Sequence, residues 1–231
     1  MESKNTYSKT FVVISGLYIA CLLISNIIAG KLWQVLDGLF LPAAVILFPL
    51  TYIIGDILTE VYGFQRAKTI IWLGFVCSFF AVAIYFITII MPSPEFFENE
   101  DAYKIVLGTT PRVAAASLAG YLFGEFSNSV ILSKLKVKTN GKKLWLRTFL
   151  STVIGEGFDT IIFITISFIG TIGVSELLIM MAGQYIFKVC YETAFTPFTY
   201  LITNKIKKIE NIDTFDYNVK YNFLRRDKNE G

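Results

Sequence analysis

Long apolar runs, separated by short polar or turn-rich stretches, dominate the chain. A helix needs about 20 mostly apolar residues to cross the hydrocarbon core of a bilayer. Runs of that kind lie near 11–29, 40–62, 69–91, 112–133, 147–170 and 176–203. Turn signals separate them. Pro92-Ser93-Pro94 ends the third run, Gly108-Thr109-Thr110-Pro111 opens the fourth, and Thr139-Asn140-Gly141 interrupts the basic stretch that follows. Between the fifth and sixth runs the only breaks are Gly170 and Gly173. The first run lacks the early basic cluster and small-residue cleavage site of a signal peptide, so it counts as a helix. The pattern predicts an all-α polytopic membrane protein, a bundle of six transmembrane helices. Residues 1–210 would form the membrane domain and residues 211–231 a polar, Lys/Asn-rich tail, expected to be mobile.

Orientation follows from Lys and Arg, which are in excess in cytoplasmic loops. Lys4 and Lys9 precede the first run, and Arg66 and Lys68 follow the second. Lys134, Lys136, Lys138, Lys142, Lys143 and Arg147 follow the fourth, and seven more basic residues lie in the tail. Thus 17 of the 21 Lys and Arg fall on one side. The opposite loops hold Lys31 and Lys104, the latter among Glu95, Glu98, Glu100 and Asp101. Six spans with both termini in the cytoplasm fit this distribution, as does a multi-pass protein of the bacterial inner membrane.

Composition agrees. The chain has 231 residues, 54% hydrophobic and only 17% charged, whereas soluble domains carry about 25% charged residues. Its net charge of +3 reads as orientation signal and contact with anionic lipid headgroups. Without aromatics interleaved among the basic runs, no nucleic-acid partner is expected. The absence of histidine removes Ser-His and Cys-His nucleophile pairs and histidine zinc sites. Cys21, Cys77 and Cys190 are far apart in apolar runs, forming neither a metal pair nor a disulfide framework. They are expected to be small packed hydrophobes, and no metal or other cofactor is expected.

The polar residues inside the runs carry the chemistry. Asp56 and Glu60 are spaced i,i+4 in the second run; Glu125 and Asn128, i,i+3 in the fourth; Glu156 and Asp159, i,i+3 in the fifth. Gln184, Lys188 and Glu192 run i, i+4, i+8 in the sixth. Each set lies on one helical face, so four helices offer polar stripes and a polar cavity between them is expected. Arg112 sits near the outer end of the fourth run. Single residues such as Asn26 and Thr51 are read as interhelical hydrogen-bonding groups. Five deep acids (Asp56, Glu125, Glu156, Asp159, Glu192) against two deep bases (Arg112, Lys188) are another matter. Burying even one uncompensated charge costs several kcal/mol, so some acids must be protonated, wet or paired with a ligand. Glycine precedes an acid at Gly55-Asp56, Gly124-Glu125 and Gly155-Glu156, which suits close helix packing or local unwinding. GDILTE in the second run and GEGFDT in the fifth hint at a three-plus-three repeat.

Four segments, FPLTYIIGDILTEVYG (48–63), PRVAAASLAGYLFGEFSNSVILSKLK (111–136), STVIGEGFDTIIF (151–163) and QYIFKVCYETAFTPFTY (184–200), together resemble the YhhQ-type, or VUT, family of bacterial six-span queuosine precursor transporters. Ser25-Asn26 in the first run also looks like that family. The resemblance implies uptake of a 7-deazaguanine (preQ0, preQ1 or queuine) across the inner membrane for tRNA modification. It carries over Asn26, Asp56, Arg112, Asp159 and Lys188, and implies polar roles for Glu125, Asn128, Glu156 and Gln184. Glu60 and Glu192 join Arg112 as gating or charge-pairing residues.

The residues suit such a ligand. A guanine-like, purine-like base presents adjacent N–H donors that a carboxylate accepts in bidentate fashion, while amides can read its carbonyl. Phe48, Tyr52, Phe126, Phe158 and Tyr185 are the nearest candidates for stacking in sequence. Asp159 or Glu156 would hold the base edge, Asp56 and Glu125 would line the cavity, and Lys188 would be the counter-ion. One carboxyl would couple movement to protons, and Arg112 would gate the outer mouth. A homodimer is a candidate assembly for so small a carrier. Two alternatives are the substrate-capture subunit of an energy-coupling-factor importer and an intramembrane aspartyl protease. The first needs a separate ATPase, since this chain lacks a P-loop. The second needs a GxGD motif, which Gly155-Glu156-Gly157-Phe158-Asp159 misses by one residue.

Overall fold

The computed structural model describes residues 8–36, 39–108 and 111–223. Its helices are α1 (Lys9–Ile28), α2 (Phe48–Tyr62), α3 (Phe64–Ile90), the short α4 (Glu100–Leu107), α5 (Pro111–Lys138), α6 (Leu144–Phe168) and α7 (Val174–Glu210). Four helical segments are long and apolar enough to span a membrane: Lys9–Ile28, Ala43–Tyr62, Phe64–Ile90 and Leu144–Phe168. α5 and α7 have the length, at 28 and 37 residues, but small and charged residues dilute them.

The helix ends alternate. The start of α1 meets the end of α2, with the Phe11 and Tyr62 rings 4.9 Å apart. Side chains from the ends of α5 and α7 and the start of α6 converge on Glu60 near the end of α2. Both described ends of the chain therefore lie on one face, called here the tail face.

α2 is the axle of the bundle, with all but two of its fifteen residues buried. It anchors a core of Tyr18, Leu22, Tyr52, Ile57, Leu58, Val61, Ile71 and Tyr121 drawn from α1, α2, α3 and α5. The surrounding helices turn apolar side chains outward as well. Val12, Leu17, Phe80, Phe123, Phe158, Ile161 and Ile186 are exposed, a large apolar girdle of the kind that marks contact with lipid. The tightest seam joins α5 to α6. A Cβ on Gly124 would come within 2.8 Å of the Asp159 Cβ and 3.0 Å of the Gly155 carbonyl oxygen. Only glycine lets these two backbones approach so closely.

The structure corrects the sequence expectation in three places. The run near 40–62 is not one helix. Its first part is strand β2 (Leu39–Pro42), paired antiparallel with β1 (Leu32–Leu36), followed by a 3-10 turn at Ala43–Ile46. The sequence between the strands is Asp37-Gly38, a strong hairpin signal, and Pro42 disfavours a helix there. Trp33 of the hairpin packs edge-on against Phe187 of α7 at 6.0 Å, and Leu41 is fully buried. Non-helical backbone of this kind is tolerated at membrane depth when protein covers it.

Residues 211–223 form a packed strap across the tail face rather than a mobile extension. Thr214 N–H donates to the Val61 carbonyl at 3.2 Å, Phe64 N–H donates to Asp216 at 2.9 Å, and Trp72 Nε1 donates to the Phe223 carbonyl at 3.0 Å. Cys190, finally, is exposed rather than packed.

Candidate functional site

Lys188 of α7 is the centre of the deep polar layer. Its Nζ donates to Glu156 Oε2 at 2.8 Å and to Asp159 Oδ2, and it lies 4.5 Å from the centroid of the Phe48 ring. The i,i+3 spacing on α6 sets both carboxylates on the face turned toward α7, so one ammonium clamps the pair. All three side chains are buried. Phe48 gets there because α2 begins deep in the bundle, after the hairpin and 3-10 turn have used the chain that a full-length helix would occupy.

Below this clamp, toward the tail face, the other acids follow. Thr152 donates to Glu192 Oε2 at 2.5 Å, and Asn128 Nδ2 donates to Asp56 Oδ1 at 2.7 Å. Glu125 is fully buried, with neither oxygen in a well-formed hydrogen bond and the Tyr18 hydroxyl standing near its carboxyl. Glu156 Oε1 and Glu192 Oε1 also lack a donor, and the two carboxyls stand within reach of each other.

Above the clamp, Lys188, Asp159, Gln184, Ser117 and Asn26 line a small pocket with Phe48 and Phe163. Ser117 donates to Asn26 Oδ1 at 2.8 Å, while Asn26 Nδ2 reaches Ser78 at 3.4 Å. This pocket adjoins a larger cavity of about 360 Å³ at the end of the bundle opposite the tail. The two share Asn26, Ala29, Ser117 and Phe163. The larger cavity is walled by apolar and aromatic side chains, including Phe79, Tyr85 and Phe86. Its size lies within the roughly 300–1,000 Å³ usual for small-ligand pockets. An apolar chamber with polar groups gathered at one end is the pattern of a site that stacks a flat ligand and reads its edge.

Of the residues picked out from sequence, Asn26, Gln184, Asp159 and Lys188 line the small pocket. Glu156 sits behind it, and Asp56, Asn128, Glu125 and Glu192 continue the polar layer below. Two others go elsewhere. Arg112 is exposed and donates from Nη2 to the Ile169 carbonyl at 2.5 Å and from Nε to the Ile166 carbonyl. It satisfies the last carbonyls of α6, as cations at helix C-termini do, and forms no ion pair among the described residues. Glu60 is at the tail face, where Arg147 and Lys207 reach its Oε1 at 2.8 and 2.7 Å.

The stacking candidates also scatter. Phe48 lines the pocket, but Phe126 packs on Phe64 and Phe223 near the tail, Phe158 points outward, and Tyr185 donates to the Val153 carbonyl. Ser117, Phe163, Phe79 and Phe86 were not singled out from the sequence. Ser117 carried a signal, since it lies three turns before Asn128 on the same face of α5; the phenylalanines are three among 21. Among the described residues there is no cluster of His, Cys, Asp and Glu suited to hold a metal ion.

A bundle of long apolar helices around a buried charged site, with an apolar chamber at the end opposite the tail, is consistent with a membrane transporter. The chain belongs to the family described as "Putative vitamin uptake transporter", whose pattern matches residues 42–202. It is 26% identical over 182 residues to a protein of Bacillus subtilis (strain 168) named "Probable queuosine precursor transporter", covering 76% of this chain and 77% of that one. A Haemophilus influenzae protein (strain ATCC 51907 / DSM 11121 / KW20 / Rd) of the same name is 25% identical over 121 residues, or 52% of this chain and 49% of that one. No solved structure matches the chain. The protein is thus a transporter and not an enzyme.

Proposed function

We propose that the chain imports a 7-deazaguanine, a queuosine precursor such as preQ0, preQ1 or queuine, across the bacterial inner membrane for tRNA modification. All six long helices cross the bilayer in this reading, and the tail face is cytoplasmic, as the basic residues indicate. The observation that carries the proposal is the Asp159–Lys188–Glu156 clamp at the polar end of an aromatic chamber, in a chain whose relatives bear the name queuosine precursor transporter.

The base enters the chamber and stacks against Phe163 and its aromatic neighbours. Its adjacent N–H donors then replace Lys188 on Asp159, while Gln184 and Asn26 read the remaining polar edge. Lys188 stays paired with Glu156, so no charge is stranded during the exchange. Asp56, Asn128, Glu125 and Glu192 form the lower part of the pathway. With Arg112 turned to the α6 backbone, five buried acids face one deep base. Protons on some of these carboxyls supply the balance and couple uptake to the proton gradient. Glu60 and its cations close the cytoplasmic end.

The test is rescue of tRNA queuosine in a bacterium that can neither make nor import the precursors. The strain would express this chain, be fed limiting preQ0, preQ1 or queuine separately, and carry the downstream enzymes each requires. Rescue by at least one compound, abolished by a protonophore, is the expected result. Failure with all three, with the protein present in the membrane, would overturn the proposal and leave a transporter of another solute.

A further inference from the structure

A second, much smaller cavity lies below the clamp among α2, α6 and α7. Asp56, Glu192, Thr148, Thr152, Thr196 and Thr199 line it. Its volume, about 10 Å³, admits roughly one water-sized sphere. What sets it apart is where the hydroxyl hydrogens go. Thr148 donates to the Leu144 and Trp145 carbonyls, Thr196 to the Glu192 carbonyl, and Thr199 to the Phe195 carbonyl. Thr152 donates to Glu192 Oε2. Every threonine on this wall has spent its proton on a neighbour, so it presents only lone pairs to the cavity.

Two further observations add to this acceptor-only surface. Glu192 is only 5% exposed, and its Oε1 receives no hydrogen bond. Pro197 lies inside α7 and has no N–H for the carbonyl of Thr193 four residues earlier; Thr193 also borders the cavity. Beside Ile53 and Phe149, the wall consists of hydroxyl and carboxylate oxygens bordering the helix-break carbonyl, a set suited to a hard cation when its carboxyls are ionised.

We infer that this cavity is a binding site for one sodium-sized monovalent cation, held by Asp56, Glu192 and the threonine oxygens. The cation offsets one of the excess buried carboxylates. Glu192, next to Glu156 of the clamp, ties its occupancy to the state of Lys188. Binding itself is independent of which solute is carried; only its use in coupling rests on the transport reading above.

The full chain, purified in lipid nanodiscs without substrate, would be titrated with sodium chloride against choline chloride at constant ionic strength, with the thermal unfolding midpoint as readout. The expected result is a saturable sodium-specific rise of several degrees. Thr199→Val keeps the shape and removes one oxygen, and should weaken the apparent sodium affinity at least tenfold; Asp56→Asn should abolish the response. Equal midpoints in sodium and choline for the unaltered protein would overturn the site, as would an unchanged sodium affinity in a folded Thr199→Val variant. Because no 7-deazaguanine enters this readout, failure here is distinct from failure of the substrate proposal.

Discussion

Glu60 and Glu125 are buried acids on the neighbouring helices α2 and α5, and their surroundings differ in kind. Glu60 meets Arg147 at 2.8 Å and Lys207 at 2.7 Å, and its own carbonyl accepts from Lys136 at 2.5 Å. Asp213 of the strap completes the set, 2.5 Å from Lys136 and 2.9 Å from Lys207. Glu125 meets no cation among the described residues, and the Tyr18 hydroxyl stands near its carboxyl. At the tail face three cations meet two acids and both carboxylates are paired, although Glu60 Oε2 and Arg147 Nε stay without a partner. Pairing of this kind is how a charged cluster holds helices together. In the deep layer acids outnumber Lys188 and several oxygens wait without donors. A buried carboxylate without a partner is costly, and a protein that keeps several supplies protons or ligands to them. The first cluster is a lock; the second is the receptor of the proposed function.

Substitutions should separate the two. The largest effect is expected from Lys188→Met, which leaves Glu156 and Asp159 facing each other without a cation. Breaking a buried pair this way costs about 3–5 kcal/mol, so both the unfolding midpoint and uptake should collapse. Asp159→Asn keeps the Lys188–Glu156 pair. It should lower uptake at least tenfold while membrane abundance stays normal; unchanged uptake at limiting substrate would remove Asp159 from the site.

Glu60→Gln tests the other cluster. It takes the anion from Arg147, Lys207 and Lys136 together, and should cost about 3 kcal/mol in denaturant unfolding. Substrate affinity per folded molecule should remain within about twofold, because no wall of the chamber changes. A large loss of affinity with intact stability would reverse the two roles.

Gly124→Ala should have a smaller effect, about 1–3 kcal/mol of overpacking. Its new methyl would run into the Tyr52 hydroxyl of α2 as well as Asp159 Cβ at 2.8 Å and the Gly155 carbonyl at 3.0 Å, and so force α5 from both α2 and α6. Gly157→Ala is the control, since its Cβ would meet nothing closer than 3.8 Å. Equal stabilities for the two variants would show that the α5–α6 seam yields more readily than its spacing implies.

The contrast also explains what the sequence could reveal. The i,i+3 and i,i+4 stripes put Glu156, Asp159 and Lys188 on facing sides of their helices, because helical periodicity is local. Arg112 looked like part of the same charged system, yet its guanidinium folds onto the end of α6, a choice made by three-dimensional proximity alone. The hairpin hid inside an apolar run, since strand and helix can both be continuously apolar when buried. The strap hid for the opposite reason: its anchors, Asp213, Asp216 and Phe223, are dispersed among polar residues. Their partners Lys136, Ser133 and Trp72 lie far away in the chain.

The strap supplies the mildest test. Burial pushes the Asp213 carboxyl up, but Lys136 and Lys207 outweigh it and hold the group below its ordinary 3.8. A depressed folded value means the carboxylate contributes stability above the unfolded pKa and loses it as pH falls through the folded one. The side chain is 46% exposed, so solvent screening limits that contribution to under about 1 kcal/mol. Trp72, whose indole donates to the Phe223 carbonyl and packs on its ring at 5.2 Å, reports whether the strap is seated. With Trp33 and Trp145 replaced by phenylalanine, Trp72 emission should hold steady from about pH 8 to pH 5 and shift red only below about pH 4. Asp213→Asn should remove that acid step and leave the strap slightly looser at neutral pH. An acid step of the same size in the variant would remove Asp213 from the strap's hold.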